Sequence, residues 1–319
     1  MQKIVSMKNL IIATAIMVLG LAACEKMGDE ERTQQTQTSQ QSSANVRISV
    51  DGVDAGWDNV STRGLVNISD VCSRVCFAVY QNGTRVKYKN QEAGESEFGV
   101  LSLTLDAGTY QLLVLGHSGA ANPTTTNPAK LQFTNPGSSN GTGFTDTFYY
   151  YGTMEVTSSG ADVKIGMKRA TSMFRLMTTD VKPAKVKRWQ FYYTGGSGAL
   201  DATTGYGCVD SKQSVFVDTG DELTGQPLTF EMYTFLHDET GEVNFTVKAF
   251  DSNNIILYTR EFTKVNMQRN CITQMKGDFF TNDGDDPKED EPEPSLPEEP
   301  STTVVQVDPE WGQIFEYTY

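Results

Sequence analysis

Three stretches in a row, Val75-Cys76-Phe77-Ala78-Val79-Tyr80, then Gln81-Asn82-Gly83, then Thr84-Arg85-Val86-Lys87-Tyr88, leave little freedom in how this part of the chain folds. β-Branched and aromatic residues suit a pleated, half-buried strand. Asn-Gly accepts the positive φ that both central positions of a tight hairpin turn require. A lone hairpin is at best marginal in water, so further strands with an apolar face must cover it.

The chain supplies them. Val46 to Val53 alternates, and so does Phe98 to Leu105. Asp106-Ala107-Gly108 then turns into Thr109 to Leu115, which reads as a second hairpin. Thr147 to Tyr151, Met154 to Val156 and Asp162 to Lys168 continue the series. No segment sustains a 3.6-residue apolar period, though a short helical turn fits near Ser69 to Arg74. Between Gly119 and Gly143 the composition turns to Gly, Pro, Asn, Ser and Thr, which predicts a long surface loop.

A second series follows. It comprises Thr171 to Leu176, Val186 to Tyr193, Leu228 to Leu236, Val243 to Phe250, Ile255 to Phe262 and Ile272 to Phe280, with a Gly-rich loop from Gly195 to Gly207. Short strands separated by turn signals predict an all-β fold of sandwich type. The expected organisation is a β-sandwich over residues 44–169 and a second over 170–282.

The two ends have a different character. Lys3 and Lys8 precede an apolar run from Leu10 to about Leu19, and Leu21-Ala22-Ala23-Cys24 closes it. A charged start, a short apolar core and small residues before a cut site predict a secretory signal over residues 1–23. The run is shorter than the roughly 20 residues a membrane-spanning helix needs. Leu-Ala-Ala-Cys resembles a bacterial lipobox, which implies cleavage before Cys24 and lipid on its sulfur and new amine. Several acyl chains anchor stably where one does not. Acidic and then Gln/Ser/Thr-rich residues follow to position 43, a tether with nothing to bury.

Residues 283–300 carry Asp283, Asp285, Asp286, Glu289, Asp290, Glu291 and Glu293 among prolines, which predicts an extended linker. Beyond it, residues 301–319 form strand-like sequence. Val304, Val305 and Val307 precede Trp311, Phe315, Tyr317 and Tyr319, whose odd-numbered spacing places the aromatics on one face. So much aromatic surface has to dock. These seven residues are the candidate donor strand, although the segment also suits folding back on its own domain or forming a small terminal module.

Composition narrows the function. The 319 residues carry a net charge of −14, which argues against nucleic acid as a partner. The two histidines, His117 and His237, lack Cys or carboxylate neighbours at metal-ligand spacing. Neither a nucleophile elbow nor a phosphate loop occurs. Asp283-Gly284-Asp285-Asp286 lacks the spacing of a calcium loop. No catalytic residue, metal ligand or cofactor is assigned, and the reading is of a non-enzyme; a glycosidase-type carboxylate pair needs no local motif.

Besides Cys24 there are Cys72, Cys76, Cys208 and Cys271. An exported chain can oxidise them. Cys72 and Cys76 lie roughly 13 Å apart on a strand, too far to bridge. Cys208 with Cys271 is the more plausible pair, and buried free thiols are the competing arrangement.

Four stretches in order are similar to one family: Ser69-Asp70-Val71 through Tyr80 with its Asn-Gly turn, Leu101 to Tyr110, Met167-Lys168-Arg169-Ala170, and Gln268-Arg269-Asn270-Cys271 through Phe279. With the lipobox they resemble the FimB/Mfa-type fimbrillin-associated anchor lipoproteins over about residues 20 to 281. The resemblance implies two transthyretin-like sandwiches, a lipid anchor in the outer membrane, and fimbrillin-type pilus subunits as partners. In such pili, stalk subunits lose a first strand at an arginine and accept a neighbour's C-terminal strand. Arg47 and Arg63, read as flanking the first strand, are the candidate cut sites. The tail beyond Asp283 has no counterpart in the family pattern. The alternative is a lipid-anchored glycan-binding protein, with Trp57, Trp189 or Trp311 stacking on sugar.

Overall fold

A computed structural model describes residues 43–54, 66–133, 144–280, 303–306 and 313–319. The fold is all-β. The first half contributes β1 (Ser43–Asp54), the single-turn helix α1 (Ile68–Val71), β2 (Arg74–Gln81), β3 (Thr84–Glu92), β4 (Val100–Asp106), β5 (Gly108–His117), β6 (Leu131–Gln132), β7 (Thr147–Val156) and β8 (Ala161–Arg169). Seven of these strands form one sheet in the order β3-β2-β5-β7-β8-β1-β4.

The β2–β3 turn is the one the sequence predicts, with Asn82 at φ 51° and Gly83 at φ 76°. The second predicted hairpin does not form. β4 pairs with β1, while β5 pairs with β2 and β7. Asp106-Ala107-Gly108 is instead a corner between layers, pinned by the Tyr110 hydroxyl donating to the Asp106 carbonyl at 3.0 Å. Local alternation marks two strands but does not say that they pair with each other.

Only Phe148↔Arg169 and Tyr149↔Lys168 join β7 to β8, so the sheet folds over there into two layers. Val46 and Ile48 of β1 and Ile165 and Met167 of β8 meet Phe77, Val79, Leu112 and Val114 of β2 and β5 in the enclosed core.

The second half contributes β9 (Ser172–Thr178), β10 (Arg188–Ser197), β11 (Ala199–Asp201), β12 (Tyr206–Gly207), β13 (Asp210–Asp218), β14 (Thr229–Thr234), β15 (Thr240–Phe250), β16 (Ile256–Gln268) and β17 (Ile272–Gly277), then β18 (Thr303–Gln306) and β19 (Ile314–Thr318) in the tail. One sheet runs β13-β10-β15-β16 and the other β14-β9-β17-β19-β18. Phe174, Trp189, Phe191, Phe230, Phe245 and Phe279 dominate the core between them. β13 escapes sequence reading because a polar residue, Gln213, occupies one of its buried positions beside Val215.

Two predicted loops turn out to be structural. Leu131-Gln132, inside the stretch expected as surface loop, pairs with Ala199-Leu200, inside the Gly-rich loop of the second half. The resulting small sheet, β12-β11-β6, lies over a third cluster in which Cys76, Ala78, Tyr80, Leu113 and Leu115 meet Leu131, Phe133, Phe144, Leu200 and Phe235. β2 and β5 are therefore covered on both faces, which is why their sequences read as continuous apolar runs.

Candidate functional site: the C-terminal strand and its edge

Without the tail, β17 would end its sheet and leave a row of N–H and C=O groups unpaired. The tail fills that edge. β19 runs parallel to β17 in the register Ile272↔Ile314 through Lys276↔Thr318. The Ile272 N–H donates to the Gln313 carbonyl at 2.8 Å and the Tyr319 N–H to the Lys276 carbonyl at 3.3 Å. β18 then pairs antiparallel along the outer side of β19.

Side chains alternate across β19 as period two demands. Tyr317 and Tyr319 turn to the main core, where the Tyr319 ring meets Phe262 edge-on at 4.9 Å between centroids. Ile314 turns the other way and packs with Met173, Ile272 and the flank of Tyr233. Among residues 313–319 it is the most buried, and it was not singled out from sequence, because a lone Ile among aromatics carries no periodic signal. Glu316 accepts a hydrogen bond from Gln274.

Gly277 leaves the space that the last residue occupies. A Cβ there would lie 2.4 Å from the Tyr319 carbonyl oxygen and 3.1 Å from its ring. The Tyr319 hydroxyl is buried and has no hydrogen-bond partner among the described residues. Burial, then the nearby Asp180 carboxylate, push its pKa above the usual phenol value.

Of the other predicted site residues, Val304 pairs with Phe315 and Val305 sits at the register shift beside it. Phe315 is half-buried on the face shared with Tyr317 and Tyr319. Cys24, Val307, Trp311, Trp57 and Arg63 lie outside the described residues. Arg47 does not flank β1. It sits within it, paired to Ser102 on one side and Asp162 on the other. Trp189 cannot stack on a sugar: it is 0% exposed and its indole N–H donates to Thr219. The Cys208–Cys271 pair does not form. All four described cysteines are free, with Cys72, Cys76 and Cys271 buried and Cys208 exposed.

Folding creates neighbours that sequence spacing hides. The Cys76 sulfur lies 3.2 Å from Asn122 Oδ1, which is also 3.2 Å from His117 Nε2. A thiol, an imidazole and an amide together suggest a nucleophilic triad, but the arrangement is inert. Cys76 and His117 are each 1% exposed, and burial holds the thiol up at about 12 and the imidazole down at about 4. A nucleophile needs the opposite shift and access. On the surface, His237 Nε2 lies 3.0 Å from Asp210. Among the described residues, no three His, Cys, Asp or Glu side chains converge as metal ligands.

The other convergence joins the halves. Arg169, at the end of β8, forks onto Asp146 at 2.9 Å and covers the Phe148 ring. Thr171 donates to the same carboxylate at 2.9 Å. Nearby, Arg269 of the second half pairs with Glu239 at 3.0 Å and covers the ring of Tyr206.

A family model described as a family of unknown function (DUF6562) matches residues 35–311, so β19 lies just beyond it. No curated protein matches in sequence. Among solved structures, a protein proposed to be an adhesin from Bacteroides ovatus ATCC 8483 is similar at 13% identity and TM-score 0.46, covering 74% of this chain and 88% of its own. The fimbrial anchor protein Mfa2 from Porphyromonas gingivalis is similar at 13% identity and TM-score 0.39, covering 69% and 83%. A protein from Bacteroides thetaiotaomicron VPI-5482, proposed to bind polysaccharide, is similar at 10% identity and TM-score 0.43, covering 68% and 79%.

Proposed function

We propose a structural role for this chain, which belongs to DUF6562, a family of unknown function. In this reading it is a minor subunit, most simply the anchor, of a fimbrillin-type surface pilus. Lipid on Cys24 holds it to the outer membrane, and strand addition joins it to its neighbours. The observation that carries the reading is the tail. A strand belonging to neither sandwich series fills an edge of the second half from the far end of an acidic, proline-rich segment. An element attached in this way can dock on its own chain or on another through the same backbone ladder.

The lipobox and the four family-like stretches support the same reading. The glycan-binding alternative loses Trp189 to the core and keeps only Trp57 and Trp311 of its three tryptophans. The test is to isolate the chain from gently solubilised outer membranes, with and without residues 301–319, and identify what accompanies it. Fimbrillin-like chains that disappear with the tail support the pilus role and strand donation. Fimbrillin-like chains that remain without the tail keep the pilus role and move the joint elsewhere. Recovery of glycan-uptake proteins, or of the chain alone, overturns the reading.

A further inference from the structure

Free sheet edges invite unwanted pairing, and proteins guard them with charge, bulges or brevity. Among the described residues the long edges follow this rule, with one exception. β3 carries Arg85, Lys87, Lys89 and Glu92. β13 carries Asp210, Lys212 and Asp218, and β14 carries Glu231. β16 carries Arg260, Glu261 and Lys264, with Lys264 at φ 51° beside a break in register. β6, β12 and β18 have four residues or fewer. β4 differs: its single charge, Asp106, sits at its last position, and Val100-Leu101-Ser102-Leu103-Thr104-Leu105 before it contains no charge, proline or glycine.

The free part of this edge has sharp limits. The Val50 N–H donates to the Gly99 carbonyl, which extends the β1–β4 ladder and fixes its parity. Leu101, Leu103 and Leu105 therefore turn their backbone groups toward β1, and Ser102 and Thr104 turn theirs outward. At one end, Val100 is already engaged: its N–H donates to the Glu97 carbonyl and its own carbonyl accepts from Gln91. At the other end, the Asp106 carbonyl accepts from Tyr110. Leu101 and Leu103 are only partly covered at the lip of the first core.

We infer that β4 is a self-association edge, pairing antiparallel with β4 of a second copy of this chain. The occupant follows from charge. Antiparallel self-pairing sets each edge against itself, so a charged edge such as β3 repels its own copy, whereas β4 between Val100 and Leu105 has no charge to oppose. The register follows from the free groups. Setting Ser102 opposite Thr104 of the second copy uses the four outward N–H and C=O groups of Ser102 and Thr104 on each edge. It places Leu103 against Leu103 across the twofold axis, in a non-hydrogen-bonded pair where Cα atoms approach to about 4.5 Å. That spacing is within reach of a disulfide.

The test uses the full chain with Cys24→Ser and Cys208→Ser, so that the remaining described thiols, Cys72, Cys76 and Cys271, are buried. Leu103→Cys is compared with Val86→Cys, a residue 41% exposed on the charged β3 edge. Under mild oxidation Leu103→Cys should form crosslinked dimer about tenfold faster, because association raises the effective thiol concentration. In a second measurement, Ser102→Lys with Thr104→Lys, both exposed side chains, should abolish the concentration-dependent dimer seen by sedimentation equilibrium. Equal crosslinking rates overturn the proposal, and so does a dimer that survives the two lysines. A dimer lost on deleting residues 303–319 identifies the tail as the occupant and likewise overturns it.

Discussion

Arg169 Nη1 donates to Asn270 Oδ1 at 2.7 Å, joining the last residue of the first sheet to the turn before β17. Asn270 is held with φ 59°, and its N–H donates to the Thr171 carbonyl. Two of the four stretches that carried the family resemblance thus meet at one point, between the halves and beside the strand that receives the tail.

Removing the anion of this latch should be costly. The Arg169 side chain is 2% exposed and Asp146 20% exposed. Asp146→Ala leaves a buried guanidinium with its main counter-charge gone, and stability should fall by about 3 kcal/mol. Arg169→Lys keeps the charge but loses the fork, and should fall between wild type and Asp146→Ala. Chemical denaturation of the three proteins checks the order; an unchanged midpoint for Asp146→Ala would mean that the pair contributes nothing net.

The tail's seat should be sensitive to a single methyl. Gly277→Ala places a Cβ against the Tyr319 carbonyl and ring, and the neighbouring strand β19 reports the effect. Amide exchange of Ile314 to Thr318 should accelerate at least tenfold, about 1.4 kcal/mol of local opening, while that of β10 and β15 is unchanged. If exchange in the tail stays at the wild-type rate, β19 is not seated over Gly277 in solution.

His117 should make stability depend on pH. Burial holds the imidazole neutral in the folded chain down to about pH 4, against an ordinary value of 6.5. Between those values the unfolded chain binds a proton that the folded chain does not, so stability falls as pH falls, by about 3 kcal/mol across the window. His117→Gln cannot titrate, and the difference in unfolding free energy between it and wild type should shrink or reverse from pH 7 to pH 4. A constant difference would show that His117 titrates alike in both states.

Much of the architecture was legible locally. Asn82-Gly83 announced its hairpin, and β-branched alternation located most of the long strands, because turn chemistry and side-chain period are properties of a few adjacent residues. The pairing of those strands was not legible. Leu101-to-Leu105 and Thr109-to-Leu115 look like two arms of a hairpin, yet they lie in different layers, since pairing is settled by which edges meet from distant parts of the chain: β4 with β1, and β5 with β2 and β7. The stretches around Leu131 and Leu200 read as loops because a two-residue strand has no period to detect. They become strands only when each supplies the other's ladder and both cover the outer faces of β2 and β5. The tail's strand character belonged to its sequence, from the aromatic spacing of Phe315, Tyr317 and Tyr319. Its place beside β17 was decided by the fold: an edge whose outward groups matched it, and a glycine at position 277 that left room for the last residue.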